Sequence, residues 1–378
     1  MLQNSNQHKD FSFQDILNQM EEDYKSMMKP NIMVAGKTGV GKSTLINAIF
    51  REDLVKTGVG MPVTQHLKKI SKETVPVNLF DTKGLELEDI ARDEVRNEIM
   101  AEVERRAASN DASDHIHLMW YCVNYESNRL EQAEMEWIRL FAKKMPVILV
   151  LTQCITDDDT FYKELEKMNL PVVNIVRLLA APKKIMNNFE VPAYGLKDLV
   201  QVTFQVLPEA TKRAFVNAQK TDVALKVEEA KKWAVGFIAS SFGVGFTPIP
   251  FSDAVALSGI QVTLIAKITN IFGFPHSQAL IQTIVSAIAG SSAATLVGRA
   301  IVGNLLKIIP GVGTVAGGLI NGTVASAITT SLAFAYIKVC EKLSKVDGLE
   351  EMSHEEIAKM VKEQYEKELK KKRKNIAL

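Results

Sequence analysis

Apolar residues follow different rhythms in different parts of the chain, and each rhythm predicts a different kind of element. In FSFQDILNQMEEDYKSMM, Phe13, Ile16, Leu17, Met20, Tyr24 and then Met27 or Met28 recur at intervals of three and four, the period of an amphipathic helix, and Pro30 ends it. From Asn31 the apolar positions contract into short runs, NIMVAG, LKKIS, VPVNLF, HIHLMWYCVN, PVILVLT and PVVNIV, separated by polar, helix-like stretches such as Ser43 to about Phe50. Strands alternating with helices predict a mainly parallel sheet, because right-handed crossovers place helices on both of its faces. Beyond about residue 234 the pattern lengthens into apolar helices: AVGFIASSFGVGF, a run from Ser252 to about Phe272, one from His276 to Ile309, and a last from about Thr314 to Lys342. Pro248, Pro250, Pro275 and Pro310 punctuate them. The segment from Glu350 to Lys374 is charged, with Ile357, Met360, Val361 and Tyr365 on one stripe.

Composition sharpens this division. At 378 residues the chain is long enough for two or three domains. With 47% hydrophobic residues it can bury a full core, and 45 basic against 44 acidic side chains give a net charge of +1, which excludes a nucleic-acid-coating protein and global disorder. From Ala234 to Ile337 the charged residues are Asp253, Lys267, Arg299 and Lys307, with His276 as a further titratable group. The expected organisation is therefore an N-terminal amphipathic helix (1–30) packed on the domain that follows it, an α/β domain (31–210), a glycine-rich apolar helical domain (211–345) and a charged C-terminal helix or tail (346–378). Cys122, Cys154 and Cys340 are widely spaced and lack a CxxC pattern, which suits a reducing compartment, and the polar start MLQNSNQHKDF does not read as a secretory signal.

The first strand runs directly into Gly36-Lys37-Thr38-Gly39-Val40-Gly41-Lys42-Ser43, followed by Thr44, a full match to G-x-x-x-x-G-K-[ST] between a strand and a helix. Glycines there let successive backbone N–H groups curl round a phosphate, and the helix start adds its dipole. Lys42 is expected on the β- and γ-phosphates and the Ser43 hydroxyl on Mg²⁺. One strand beyond, VNLFDTKG supplies Asp81 and Gly84 in the D-x-x-G spacing of P-loop switch proteins, with Asp81 expected in the Mg²⁺ shell and the Gly84 N–H at the γ-phosphate. Between them, Gly58 to Thr64 reads as a mobile glycine segment. Thr64 is the candidate switch threonine for Mg²⁺ and γ-phosphate, with Thr57 as its rival. His115 and His117 share a face of a strand, but no further ligand completes a metal set, and Trp120 and Tyr121 read as packing residues.

AGKTGVGKSTLINAIF, a G-x-x-P-V-T segment and DTKG, in that order, resemble the Era- and septin-like class of P-loop GTPases over residues 31 to about 205. The resemblance implies a Ras-like α/β P-loop fold with switch loops around GTP or GDP and Mg²⁺. It places a guanine-reading motif, [NT]-K-x-D, after PVILVLT. There this chain has Thr152-Gln153-Cys154-Ile155, so the threonine matches while the lysine and the aspartate are replaced. Asp157 or Asp158 is the candidate substitute carboxylate, against a solvated loop or helix cap as the alternative. Ala180 and Ala181 fall where the class carries a short segment whose backbone approaches the base oxygen. Leu85 stands where Ras-like enzymes carry the glutamine that orients water, so slow hydrolysis is expected, with Glu86 and Glu88 or a second protein molecule as alternative sources of help.

In the apolar half, Ile284–Ile309 and Val312–Ile337 are each long enough to cross a hydrocarbon layer of ~30 Å. Gly313/Gly317 and Gly318/Gly322 have small-xxx-small spacing. Against insertion, Arg299 and Lys307 lie within the first segment. Membrane contact and a wholly buried bundle both remain readings of this pattern. The blocks TPIPFSDAVALSGIQVTLIAKITNIFGF and KIIPGVGTVAGGLINGTVASAITT resemble the YcjF-like, DUF697-type apolar helical domain. That resemblance implies a bacterial regulatory GTPase whose apolar domain is suspected of membrane association. The expected location is the cytoplasm, with peripheral or integral attachment at the inner membrane as the alternative. The candidate partners are guanine nucleotide, membrane lipid and a homodimer or another protein, with no nucleic acid. A dynamin-like or immunity-related-GTPase-like membrane-remodelling protein is the alternative reading.

Overall fold

The structure, a computed structural model, describes residues 13–57, 59–83, 89–185, 189–242, 249–250, 254–275, 277–289, 319–320, 322–346 and 352–376. It contains two compact units: one from Met27 to Asp222, the other from Val223 onward together with the N-terminal helix.

The first unit is built on a sheet whose described strands are β1 (Asn31–Ala35), β2 (Val59–Pro62), β3 (Leu67–Lys72), β4 (Val75–Thr82), β5 (Leu118–Asn124), β6 (Val147–Thr152) and β7 (Asn174–Arg177). Their spatial order is β2-β3-β4-β1-β5-β6-β7. From β4 to β7 the neighbours run parallel, with Val34 beside Asp81 on one side and Trp120 on the other, and Asn124 beside Thr152. Every residue of β1 and β6 is buried, which is why these strands read as unbroken apolar runs: helices cover both faces. In this unit the helices are α2 (Lys42–Ile49), α3 (Leu54–Thr57), α4 (Asp89–Ala107), α5 (Gln132–Phe141), α6 (Thr160–Lys167), α7 (Leu196–Val206) and α8 (Glu209–Ala218).

Two local readings change. Val59–Pro62, expected as part of a mobile glycine segment, is an edge strand paired antiparallel with β3, from Val59–Ser71 to Pro62–Lys68. An edge position is where a sheet tolerates Gly60 and Pro62. His115 and His117 precede β5 rather than alternating along it. The His117 backbone N–H donates to Asn31 O at 2.9 Å, and its Nδ1 accepts from the Asn31 N–H at 2.8 Å, so the ring fastens the start of β1. Trp120 is core, donating from Nε1 to Thr203 Oγ1 at 3.0 Å and stacking on Phe50.

The second unit is helical. α1 (Phe13–Lys25) is joined by α9 (Val223–Phe242), α10 (Ala254–Phe272), α11 (Gln278–Ala289), α12 (Gly322–Leu343) and α13 (His354–Ile376). Their common core includes Ile238, Ile265, Ile268, Ile284, Leu332, Tyr336, Val361 and Tyr365. The stripe on the charged tail is therefore a packing face: Ile357, Val361 and Tyr365 are buried, while Glu355, Lys359, Lys362 and Glu363 are exposed. α1 packs on α10, where Ile16 meets the core and Asp23 pairs with Lys267 at 2.9 Å. Its apolar stripe thus finds its partner in the helical unit, not in the α/β unit it precedes. The Lys226 ammonium donates to Phe272 O at 3.0 Å and Ile271 O at 3.3 Å, satisfying carbonyls at the end of α10. No helix among the described residues is long and apolar enough to cross a membrane. The stretch holding Arg299, Lys307, Pro310, Gly313, Gly317 and Gly318 lies outside the described residues.

Candidate nucleotide site

The C-terminal ends of β1, β4, β5, β6 and β7 lie along one edge of the sheet, and the loops leaving them hold the candidate residues. At Gly36 the backbone has φ 137°, and a Cβ there would sit 2.3 Å from the Cys122 carbonyl oxygen of β5. No other residue lets the loop leave β1 so close to its neighbour. Gly39 and Gly41 also have left-handed backbones, φ 83° and 94°, and Gly41 caps α2. Such alternation turns amide N–H groups toward a common concavity. The Lys42 Nζ donates to Gly36 O at 2.6 Å and Lys37 O at 3.1 Å, drawing its charge across the loop. Ser43 and Thr44 are exposed in the first turn of α2. Lys37 instead faces α5, pairing with Glu131 at 2.7 Å and Glu134 at 3.5 Å. Thr38 is exposed, and Val40 is buried under the loop.

Asp81 stands near the end of β4. Its Oδ1 is buried and has no hydrogen-bond partner among the described residues. Burial raises its carboxyl above the ordinary range, opposed by the positive charges of Lys42, Lys83 and Lys68. A buried orphan carboxylate oxygen beside a phosphate loop is chemically suited to the shell of a hard divalent cation, so the donor set fits Mg²⁺. Thr64 lies in the β2–β3 turn, where its hydroxyl accepts from the Leu67 N–H at 3.1 Å and bonds to Glu98 of α4. Glu98 also accepts from the His66 N–H at 3.1 Å and meets His66 Nδ1 at 2.6 Å, so the turn and α4 are fastened together. Thr57 ends α3. Gly84, Leu85, Glu86 and Glu88 lie outside the described residues.

Thr152 and Gln153 both reach the phosphate loop. The Thr152 hydroxyl lies 2.6 Å from Val40 O and 3.0 Å from Val123 O, and Gln153 Nε2 donates to Gly39 O at 2.9 Å from a left-handed backbone, φ 57°. Ile155 offers no carboxylate, but its N–H donates to Glu126 Oε1 at 3.0 Å. The Asp158 carboxylate is committed locally, accepting from the Thr160 N–H at 2.9 Å and hydroxyl at 2.6 Å, and Asp159 pairs with Lys163. Asp157 is exposed. Ala180 and Ala181 follow β7 in a loop held beside the β6 loop, Cys154 N–H donating to Leu178 O at 3.2 Å. The sequence reading did not find Glu126, because the loop after β5 has no motif; only the fold sets it beside position 155. Burial pushes the Cys122 thiol up to about 12 and that of Cys154 to about 11.

Comparison with known proteins matches the two parts of the chain to two family models. Residues 31–153 match the family model described as 50S ribosome-binding GTPase, and residues 217–370 match that of a domain of unknown function, DUF697. The chain thus carries a domain of the P-loop GTPase family followed by a DUF697 domain. Magnetosome membrane protein 22 of Magnetospirillum gryphiswaldense is 26% identical over 131 residues, covering 35% of this chain and 66% of its own. Cell division control protein 10 of Saccharomyces cerevisiae is 27% identical over 197 residues, 42% of this chain and 60% of that protein. The chain therefore spans about two thirds or less of these relatives. Among solved structures, the LeoA bacterial dynamin GTPase from ETEC aligns over 98% of this chain and 84% of its own, at 13% identity and a TM-score of 0.34.

Proposed function

We propose that the α/β unit binds GTP and GDP with Mg²⁺ and hydrolyses GTP slowly, and that its nucleotide state governs the helical unit. The observation that carries this reading is the convergence of the Gly36–Ser43 loop, the orphaned Asp81 oxygen and the Thr152–Gln153 contacts on one sheet edge. Phosphates are held by the loop N–H groups, with Lys42 exchanging its carbonyl partners for phosphate oxygens. Ser43 and Asp81 would hold the metal, with Thr64 as the further oxygen ligand from the switch segment. Bound Mg²⁺ would neutralise charge on the β- and γ-phosphates. Thr152 and Gln153 fix the loop from the base side, and Ala180 and Ala181 leave room for the base. Leu85 carries no group that orients water, which supports a low intrinsic rate. The test is titration of the full chain and of Lys42→Ala with fluorescent GDP and GTP. Loss of binding with an unchanged circular dichroism spectrum is expected; unchanged affinity would refute the phosphate assignment.

Conditional membrane association is part of the same proposal. It is supported by the low charge of residues 234–337 and by a relative described as a magnetosome membrane protein. The core of the helical unit would then be exposed to lipid in one nucleotide state and closed in the other.

A further inference from the structure

We propose that Glu126 is the residue that reads the purine, taking the place of the carboxylate missing from position 155. The assignment rests on the nucleotide reading above. Thr152 and Gln153 anchor the start of the β6 loop to the phosphate loop by their contacts with Val40 and Gly39, and position 155 follows them in the sequence register of the guanine motif. Ile155 cannot accept a hydrogen bond from a base. Its backbone N–H, however, holds Glu126 Oε1 at 3.0 Å, which keeps a carboxylate within hydrogen-bond reach of the backbone that would carry the motif's aspartate. Glu126 is carried there by the turn after β5, whose first residue, Asn124, accepts from the Glu126 N–H at 3.0 Å and so fixes its backbone. Oε2 has no hydrogen-bond partner among the described residues.

The chemistry selects guanine. An ionised carboxylate only accepts, and guanine presents two adjacent donors, N1–H and the 2-amino group. Adenine presents an unprotonated N1 on the same edge, which a carboxylate repels. Of the nearby carboxylates, Asp158 is turned to its own helix start, its Oδ1 accepting from both the Thr160 N–H and hydroxyl, and Asp159 pairs with Lys163; Glu126 is the one hydrogen-bonded to the backbone of position 155. Asp157 is exposed two residues past Ile155 and serves as the control. Replacing Glu126 by glutamine gives one donor and one acceptor, which matches xanthine, where a 2-oxo group stands in place of the 2-amino group.

The full chain, Glu126→Gln and Asp157→Asn are titrated with fluorescent GDP, ADP and XDP in the presence of Mg²⁺. Wild type should prefer GDP. Glu126→Gln should lose about 10–100-fold in GDP affinity, the range for a charge-assisted hydrogen bond, and gain XDP binding. Asp157→Asn should leave the order unchanged. Glu126 is exposed, so the substitution spares the core, and a gain for XDP cannot arise from unfolding. GDP preference retained in Glu126→Gln, a loss of GDP without a gain of XDP at unchanged melting temperature, or a switch produced by Asp157→Asn would overturn the assignment while leaving the nucleotide site standing. A wild type that binds none of the diphosphates would overturn the site and the assignment together.

Discussion

Asp81 illustrates how one side chain can oppose folding and serve binding. Burial raises its folded pKa above the 3.8 of a free carboxyl, so the folded state holds the proton more tightly than the unfolded chain. Stability from this group is therefore fully present below about pH 3.8 and is lost as pH rises through the raised folded value. Above that value the ionised carboxylate is a standing cost unless a cation meets it. Asp81→Asn should accordingly raise the melting temperature of the nucleotide-free protein in EDTA. The same change should lower Mg²⁺-supported GDP affinity by at least about 10–100-fold, the cost of losing even an outer-shell group that orients metal ligands. Calorimetry with and without Mg²⁺ reads both effects. A lower melting temperature in EDTA would show that Asp81 has a stabilising partner in the folded protein.

At the scale of elements, the phosphate loop is held against β5 and β6 as much as by its own glycines. Thr152 is 2% exposed, and its hydroxyl serves two buried carbonyls from different elements, Val40 and Val123. Thr152→Val keeps the shape and removes that donor, so urea unfolding should show a loss of about 1–3 kcal/mol, the cost of stranding buried acceptors. Weaker GDP binding should accompany it, because the loop is no longer anchored. A change below a few tenths of a kcal/mol would mean that the carbonyls find other donors.

The same elements show what could be read in advance. β1 and β6 are buried on both faces, so their apolar runs are unbroken and the strand reading follows directly. β2 is an edge strand containing Gly60 and Pro62, with Met61 61% exposed, so its composition signals a turn, and pairing with β3 decides the outcome. α1 shows the limit of periodicity: a 3.6-residue stripe specifies that a face will be covered, but the covering helix, α10, lies more than two hundred residues away. In the candidate site, the Gly36–Ser43 loop is local in sequence and therefore legible. The carboxylate near Ile155 comes from a different strand end, and no spacing rule joins residues 126 and 155.

For the whole molecule, the absence of a water-orienting side chain at position 85 has a kinetic consequence. The isolated protein at low concentration should turn over GTP near the ~10⁻⁴ s⁻¹ of unassisted Ras, and the rate per molecule should rise with protein concentration or with a partner. Phosphate release measured across a dilution series tests this; a fast rate independent of concentration would show that this chain supplies its own water-positioning group. Flotation with anionic liposomes in GTP, in GDP and without nucleotide tests the helical unit. Association in one nucleotide state is expected, whereas a protein that never floats uses residues 223–376 as a permanently closed bundle.

Each unit also carries a clock. Cys122 lies behind Gly36 and Cys340 inside the helical core, both with no exposed surface. Burial raises both thiols, so neither is reactive in the closed protein. Alkylation of either must wait for the structure around it to open, which makes the labelling rate of each peptide a count of excursions in its own unit. Nucleotide that slows the labelling of Cys122 alone marks two bodies that breathe independently; nucleotide that slows Cys340 as well marks a single cooperative machine.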